Sequence, residues 1–366
     1  LCLTDFIRDY WQQKPLLLPQ AIDPALLQFP ADELAGLACE DDIESRLIEQ
    51  LGEQHWQLTH GPLDEDQFDQ LADSHWTLLV QDVDKYVPEV ADLIELFNFL
   101  PDWRIDDIMI SYAVDQGGVG PHTDNYDVFL IQAQGQRRWR LSDRSYQDND
   151  LLADCPLRVL QQFDTDLDLL LKPGDVLYLP PRLAHWGVAQ GECMTWSLGM
   201  RGPSQAELMD AWMSYRNEHL PQRHFKDHRA SQQTSSIISS HDITHARALM
   251  QDLLTADSAL FSDWFGRYVT EPKAGFEIEP MDHRIDGRWL QQRLDAGAEL
   301  KRHPWARFAG QLNDTPGLFS QGRFYPAAHS EWVNLVCEHR HLRSNLLSAM
   351  PQADNFRDWL ASLYQE

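Results

Sequence analysis

The chain has 366 residues, 43% of them hydrophobic, and a formal net charge of −27 at pH 7. That length exceeds a single hydrophobic core and predicts two or three domains. The acidic balance argues against a nucleic-acid surface, which needs a basic face; it suits a cationic partner whose approach it would steer and equally an ordinary acidic protein, and charge alone favours neither.

In chain order, the first informative segment is Ile105 to Val114 (IDDIMISYAV), a strand-like run rich in β-branched and aromatic residues. Gly117-Gly118-Val119-Gly120-Pro121 breaks it. This is no dinucleotide loop, because it opens no helix, and its expected job is to let the backbone turn sharply. His122-Thr123-Asp124 then opens a predicted strand, Tyr126 to Gln132. Strand alternation points His122 and Asp124 the same way, so both can reach one metal ion.

Gln136 to Leu141 (QRRWRL) reads by parity. Arg137 shares a strand face with Trp139 and Leu141, which belong in a core, while Arg138 and Arg140 face solvent. A buried guanidinium needs a carboxylate partner, and no acid lies on its own face of this strand. A bound dicarboxylate such as 2-oxoglutarate would supply one through a bidentate pair; a distant Asp or Glu of the chain is the alternative.

Lys172-Pro173-Gly174-Asp175 is a tight-turn signal, and Val176 to Leu179 is a short strand running into Pro180-Pro181. His185 is expected just past that strand end, where loops carry chemistry on a rigid scaffold. His122, Asp124 and His185 together make two imidazoles and one carboxylate. Left open on one face, that is the ligand set of non-heme Fe(II) oxygenases.

After Arg201-Gly202-Pro203 the pattern turns helical. Ala206 to His219 carries Leu208, Trp212 and Tyr215 on one stripe, and Ile243 to Tyr268 repeats the spacing through Leu249, Leu253, Leu260 and Trp264. Two or three helices with apolar stripes could form a bundle with a second copy. Arg223 to Ser240, polar and rich in His, Ser and Gln, reads as a loop. His241 and His245 stand at i, i+4 without a third ligand in view, so a solvated helix start is expected there. From about Phe276 short pieces follow, at Arg288 to Leu294, Ala306 to Leu312, Glu331 to Glu338 and Phe356 to Tyr364.

Cys2, Cys39, Cys155, Cys193 and Cys337 are scattered without a C-x-x-C pair. That fits a reducing compartment and excludes a cysteine zinc site. No apolar run approaches a membrane span, and Leu1 to Tyr10 contain acid and lack a signal-peptide core. A cytoplasmic location and a trimmed N-terminus are expected.

The segments GPHTDNYDVFLIQAQGQRRWR and LKPGDVLYLPPRLAHWG resemble the JmjC-type, cupin-like 2-oxoglutarate oxygenases. With DFIRDYWQQKPLLLP and LPDWRIDDIMISYAV they resemble, more narrowly, the bacterial ribosomal oxygenases, arginine hydroxylases of large-subunit ribosomal protein sixteen. The resemblance is dense over residues 5–205 and thin beyond. It implies a mainly β catalytic domain, a double-stranded β-helix, over 1–205. A helical dimerisation region over 206–272 and a small α+β winged-helix-like domain over 273–366 would follow. Short strand signals between Trp76 and Met200, punctuated by Pro and Gly, support the β domain independently. The C-terminal pieces lack a strong basic recognition helix, so DNA binding is not inferred.

Carried over by position, His122, Asp124 and His185 would bind iron and Arg137 would hold the distal carboxylate of 2-oxoglutarate. Ser111 and Ser197 are candidate helpers. The carboxylate Asp124 favours hydroxylation over halogenation. The resemblance thus implies an Fe(II)-, 2-oxoglutarate- and O2-dependent protein hydroxylase acting at C3 of an arginine on a large-subunit ribosomal protein, working as a homodimer. A histidine-directed hydroxylase and a small-molecule oxygenase of the same fold are the alternatives. Acids near the metal would be needed to receive a cationic side chain, with Asp115 and Asp127 as candidates, although parity turns Asp127 away from His122 and Asp124.

Overall fold

The computed structural model describes residues 2–226, 238–255, 258–313 and 315–365. Two compact units are present. The first runs to Gly202 and includes Glu299–Trp305 and Glu338–Leu342; the second holds Pro203–Ala298, Ala306–Cys337 and the chain from Arg343 onward.

The first unit is built on nine strands: β1 (Leu16–Leu18), β2 (Ser45–Gly52), β3 (His55–His60), β4 (Trp76–Val80), β5 (Ile105–Ala113), β6 (Val128–Ser142), β7 (Leu167–Leu171), β8 (Val176–Leu179) and β9 (Ala184–Met200). They pair in the order β1-β8-β6-β9-β5-β4-β2-β3, with β7 attached to β6. Every pairing is antiparallel. The two predicted strands at Tyr126 to Gln132 and Gln136 to Leu141 are one 15-residue strand, because Gln132 to Gln136 bulges instead of turning. β6 and β9 run together from Val128↔Gly199 to Ser142↔Ala184. The first part of β6 pairs β8 on its other edge and the last part pairs β7. A long ribbon that bends at a bulge and hands its outer edge from one strand to another is the double-stranded β-helix the resemblance implied.

The bulge also changes which parity faces inward. Phe129 and Ile131 join the main core with Tyr178, Phe97 and Phe6, whose rings meet at 5.0–5.1 Å between Phe129, Phe97 and Tyr178 and between Phe6 and Tyr178. Val128 and Leu130, on the opposite face, pack with Trp139 and Leu141. Two strands of the C-terminal chain, Leu300–Lys301 and His341–Leu342, also belong to this unit. Arg302 and Arg340 both bind Asp102 Oδ1, at 2.8 and 3.0 Å, which ties that strand pair down.

In the second unit, helix Gln205–His219 starts with a capping box between Ser204 and Glu207. Trp212 is buried against Phe261 and Trp264 and donates its indole N–H to Leu253 O at 2.8 Å. The expected stripe through Trp212 is therefore spent inside the chain, and a new exposed stripe takes its place. Ile243, Met250 and Leu254, at i, i+7 and i+11 of helix Ser240–Thr255, are 54%, 66% and 53% exposed. The predicted helix Ile243 to Tyr268 is two helices, Ser240–Thr255 and Ser258–Thr270. Of the predicted loop Arg223 to Ser240, residues 227–237 lie outside the described residues. Helices Gly287–Asp295, Ser330–Glu338, Ser344–Ser348 and Ala353–Gln365 and a three-stranded sheet, Ala309–Gln311, Gly317–Ser320 and Arg323–Pro326, follow. No helix among the described residues is long and apolar enough to cross a membrane.

Two glycines of the ribbon separate conformation from space. Gly135 (φ +62°) and Gly191 (φ +72°) both use left-handed backbone. A Cβ at Gly135 would sit 2.0 Å from Glu192 O, whereas one at Gly191 meets nothing within 4 Å. Gly191→Ala should therefore cost about 1 kcal/mol, the conformational term alone. Gly135→Ala should lower the melting temperature several times further than Gly191→Ala does, and equal shifts in thermal unfolding would contradict the packing described for the bulge.

Candidate metal and co-substrate site

His122 and Asp124 lie in the irregular segment before β6, and His185 is the second residue of β9. Both placements differ from the sequence expectation of a strand start for the first pair and a position just past a strand end for His185. What aligns them is a single antiparallel bridge: His122 N–H donates to His185 O at 3.0 Å and His185 N–H to His122 O at 2.9 Å. The paired backbones set the two rings with centroids 4.2 Å apart. Arg182 N–H holds the carbonyl of Asp124 at 2.6 Å, fixing the third residue to the turn before β9.

Each histidine has the same internal lock. His122 Nδ1 is 2.9 Å from Gly120 O and His185 Nδ1 is 2.9 Å from Leu183 O. A carbonyl only accepts, so each Nδ1 carries a proton and each Nε2 is the ring atom left to face a shared cation. Burial, then the neighbouring His122, pushes the His185 imidazolium down to about 4 despite the opposing pull of Asp124. His185 is therefore neutral at neutral pH. Its Nε2 stands 3.6 Å from Asp124 Oδ2, and His122 Nε2 stands 4.0 Å from the same oxygen, the spacing of groups that can share a cation. All three ligand atoms lie within 4.8 Å of one another, the one such group among the described residues. Donors at about 2.0–2.2 Å from one ion stand up to about 4.4 Å apart, so little adjustment is needed to receive it.

The triad opens on a cavity of about 320 Å³ that also contains Ser111, Arg137, Trp139 and Ser197. As parity required, Arg137, Trp139 and Leu141 are buried, and Arg138 is partly exposed and paired with Asp168. Arg137 Nη1 donates to Ser111 Oγ at 3.1 Å and Thr195 Oγ1 at 3.4 Å. Among the described residues Arg137 has no ion-pair partner, and its Nε–H is buried without an acceptor. The alternative of a distant Asp or Glu is thus not realised. A cation nine-tenths buried and uncompensated is costly, and a carboxylate ligand in the cavity would relieve the cost.

The acids at the cavity are not those first named. Asp127 is buried and already committed, accepting from Tyr178 OH at 2.6 Å, Gln12 Nε2 at 3.0 Å and Arg104 Nη2 at 3.2 Å. Asp115 is exposed and accepts from Gly191 N–H, which holds its carboxyl low. The cavity is instead lined by Asp106 and Asp107. The available signal was parity along β5, since Asp107, Met109 and Ser111 alternate onto one face and all line the cavity. Asp107 Oδ2 accepts from Gln81 Nε2 at 2.7 Å and Asp82 N–H at 2.9 Å. Burial, followed by the charges of Asp84 and Asp82, pushes its carboxyl up to about 7.

An acid whose folded pKa lies above its unfolded value binds more protons folded than unfolded, so stability falls as pH rises between the two. For Asp107 that window runs from about 4, the ordinary Asp value, to about 7. Asp107→Asn should therefore raise the melting temperature by roughly 2–4 °C at pH 8. The gain should vanish at pH 4, and a pH-independent difference in thermal unfolding would contradict the assigned proton.

Residues 92–208 match the JmjC domain family, and residues 248–366 match the ROXA-like winged helix. The chain is 35% identical over 303 residues to the Escherichia coli ribosomal protein uL16 3-hydroxylase, covering 81% of this chain and 79% of that one. It is 29% identical to a probable ribosomal oxygenase of Haemophilus influenzae, over 97% of this chain and 86% of that one. The X-ray structure of E. coli ycfD superposes with a TM-score of 0.84 at 31% identity, covering 100% of this chain and 96% of that chain. A second structure of that ribosomal oxygenase, in complex with cobalt and 2-oxoglutarate, superposes with a TM-score of 0.82 at 30% identity over the same shares. With its metal-type triad set in a JmjC domain, this chain belongs to the ribosomal oxygenases, a family of JmjC-type 2-oxoglutarate oxygenases.

Proposed function

We propose that this protein hydroxylates C3 of an arginine side chain in ribosomal protein uL16, with Fe(II) held by His122, Asp124 and His185 and the distal carboxylate of 2-oxoglutarate held by Arg137. The observation that carries this reading is one cavity containing both an open two-histidine, one-carboxylate set and a buried guanidinium without a counter-charge. Iron, when bound, couples oxidation of 2-oxoglutarate to succinate and CO2 by O2 with insertion of one oxygen atom into a C–H bond. The two imidazoles would hold it through Nε2, because each Nδ1 is committed to a carbonyl, and Asp124 would supply the anionic ligand. Arg137 orients the co-substrate from the far end, with Ser111 beneath it, while Ser197 lines the same cavity. Val128, Leu130 and Trp139 form apolar walls that limit water.

Asp106 and Asp107 favour a cationic target over a neutral imidazole, because a guanidinium between them would relieve their mutual repulsion. The net charge of −27 favours docking of a basic ribosomal protein, with an attraction that salt screens. A cytoplasmic site of action follows from that substrate. The catalytic, helical and C-terminal parts are proposed to divide at 1–205, 206–272 and 273–366.

The test incubates a uL16 peptide with Fe(II), 2-oxoglutarate and O2. The native protein should add one oxygen to Arg, and Asp124→Ala should add none while keeping its fold, since that side chain is partly exposed and belongs to no hydrophobic core. Arg137→Ala should weaken 2-oxoglutarate binding by about two orders of magnitude, and Arg138→Ala, which loses a surface pair, by less than about twofold. Oxygen on His would move the reading to a histidine hydroxylase, and no gain on any ribosomal peptide to a small-molecule oxygenase.

The exposed Ile243, Met250 and Leu254 stripe supports a homodimer through helix Ser240–Thr255. Met250→Glu should give monomers in sedimentation, whereas a native protein already monomeric at micromolar concentration would end this assignment.

A further inference from the structure

Gln132 and Thr195 are fully buried, face each other across β6 and β9, and are not among the described residues that line the cavity. Gln132 Nε2 donates to Gln134 O at 2.9 Å and Met194 O at 3.3 Å. Two carbonyls on that side fix the amide orientation, since the flipped amide would set oxygen against oxygen. Gln132 Oε1 must then be the acceptor, and Thr195 Oγ1 donates its single proton to it at 3.2 Å. Ser111 Oγ is committed in the same way, donating to Thr195 O at 3.3 Å. Both hydroxyls therefore offer only lone pairs to Arg137, whose Nη1 donates to Ser111 at 3.1 Å and to Thr195 at 3.4 Å.

This chain of hydrogen bonds runs in one direction, from Arg137 through Thr195 and Gln132 to the backbone carbonyls of the β6–β9 bulge. Every member beyond Arg137 is neutral. Burial also pushes the nearby Cys193 thiol up, so no thiolate stands in as a counter-charge. A carboxylate in place of either hydroxyl would have held the guanidinium equally still and cancelled its charge. The neutral chain holds it still and leaves the charge available.

We infer that Gln132 and Thr195 are positioning residues, a neutral relay that aims Arg137 at the distal carboxylate of 2-oxoglutarate without neutralising it. The inference rests on the proposed role of Arg137. Neither residue touches the ligand, and Gln132 acts through Thr195. Thr195→Val keeps the shape and removes the hydroxyl, so it should weaken 2-oxoglutarate binding while metal affinity and turnover at saturating co-substrate stay near native. Thr195→Ser restores the acceptor and should restore binding. Gln132→Met frees the Thr195 proton to point at Arg137, and its effect should not add to that of Thr195→Val, because both break the same chain.

The experiment is calorimetric titration of 2-oxoglutarate into the full-length Mn(II)-loaded protein, with Mn(II) affinity and melting temperature measured beside it. The expected result is a loss of about tenfold in Thr195→Val, within about twofold of native in Thr195→Ser, and no further loss in the double variant. Native-like binding in Thr195→Val and Gln132→Met while Arg137→Ala fails to bind would overturn the relay and leave the anchor standing. Losses that add in the double variant, or that track equal losses of Mn(II) affinity and melting temperature, would reduce both residues to core filling and also overturn it. If Arg137→Ala itself binds like the native protein, the anchor reading fails, and the relay with it.

Discussion

Two amide–carbonyl hydrogen bonds between His122 and His185 hold the site together. They join residues 63 positions apart, and they set the ring separation before any metal arrives. Each ring is then turned by its own chain, since both Nδ1 atoms bond the carbonyl two residues earlier. The symmetry makes the two imidazoles equivalent in tautomer and leaves both Nε2 atoms for one cation. Beyond this bridge β6 and β9 stay paired from Ser142↔Ala184 to Val128↔Gly199, so Arg137 and His185 share one ribbon, to which His122 is joined by the bridge.

Opposite charges are kept apart within the same cavity. Asp107 and Ser111 are four positions apart along β5, about 13 Å, and Ser111 carries Arg137 at its end. At one end a cation lacks a carboxylate, and at the other burial, followed by the charges of Asp84 and Asp82, pushes the Asp107 carboxyl up to about 7. Had the two met, they would have neutralised each other and the cavity would bind neither an anionic co-substrate nor a cationic side chain. The β5 backbone keeps them apart, and the free protein bears an electrostatic cost that the proposed ligands would relieve.

Part of this arrangement was legible in local chemistry. The ligand types His122, Asp124 and His185 are visible because few other residues suit such a metal, and the inward turn of Arg137 follows from its spacing to Trp139 and Leu141. That count worked because it stayed on one side of the bulge. Counted from Leu130, which also lines the cavity, seven residues of strict alternation would have turned Arg137 to the wrong face. The acids follow from the same strand geometry. Of the candidates Asp115 and Asp127, one faces solvent and the other serves Arg104 and Tyr178, while Asp106 and Asp107 arrive from a neighbouring strand.

The helical segment divides in the same way. Period 3.6 correctly announced helices around Trp212 and Trp264, because an apolar stripe must be buried somewhere. Which stripe is buried within the chain is a matter of packing, and here Trp212 goes inside while Ile243, Met250 and Leu254 remain outside. Composition, periodicity and ligand chemistry are carried by residues near one another in sequence, so the sequence alone determined the β-rich class, the metal-ligand types and the inward arginine. Register, the handover of β6 between β8 and β7, the acids that line the cavity and the polarity of the Gln132–Thr195 relay depend on pairings across 60 or more residues for the relay and the triad. Only the tertiary structure decided those, because a bulge changes facing parity without leaving a periodic mark in the sequence.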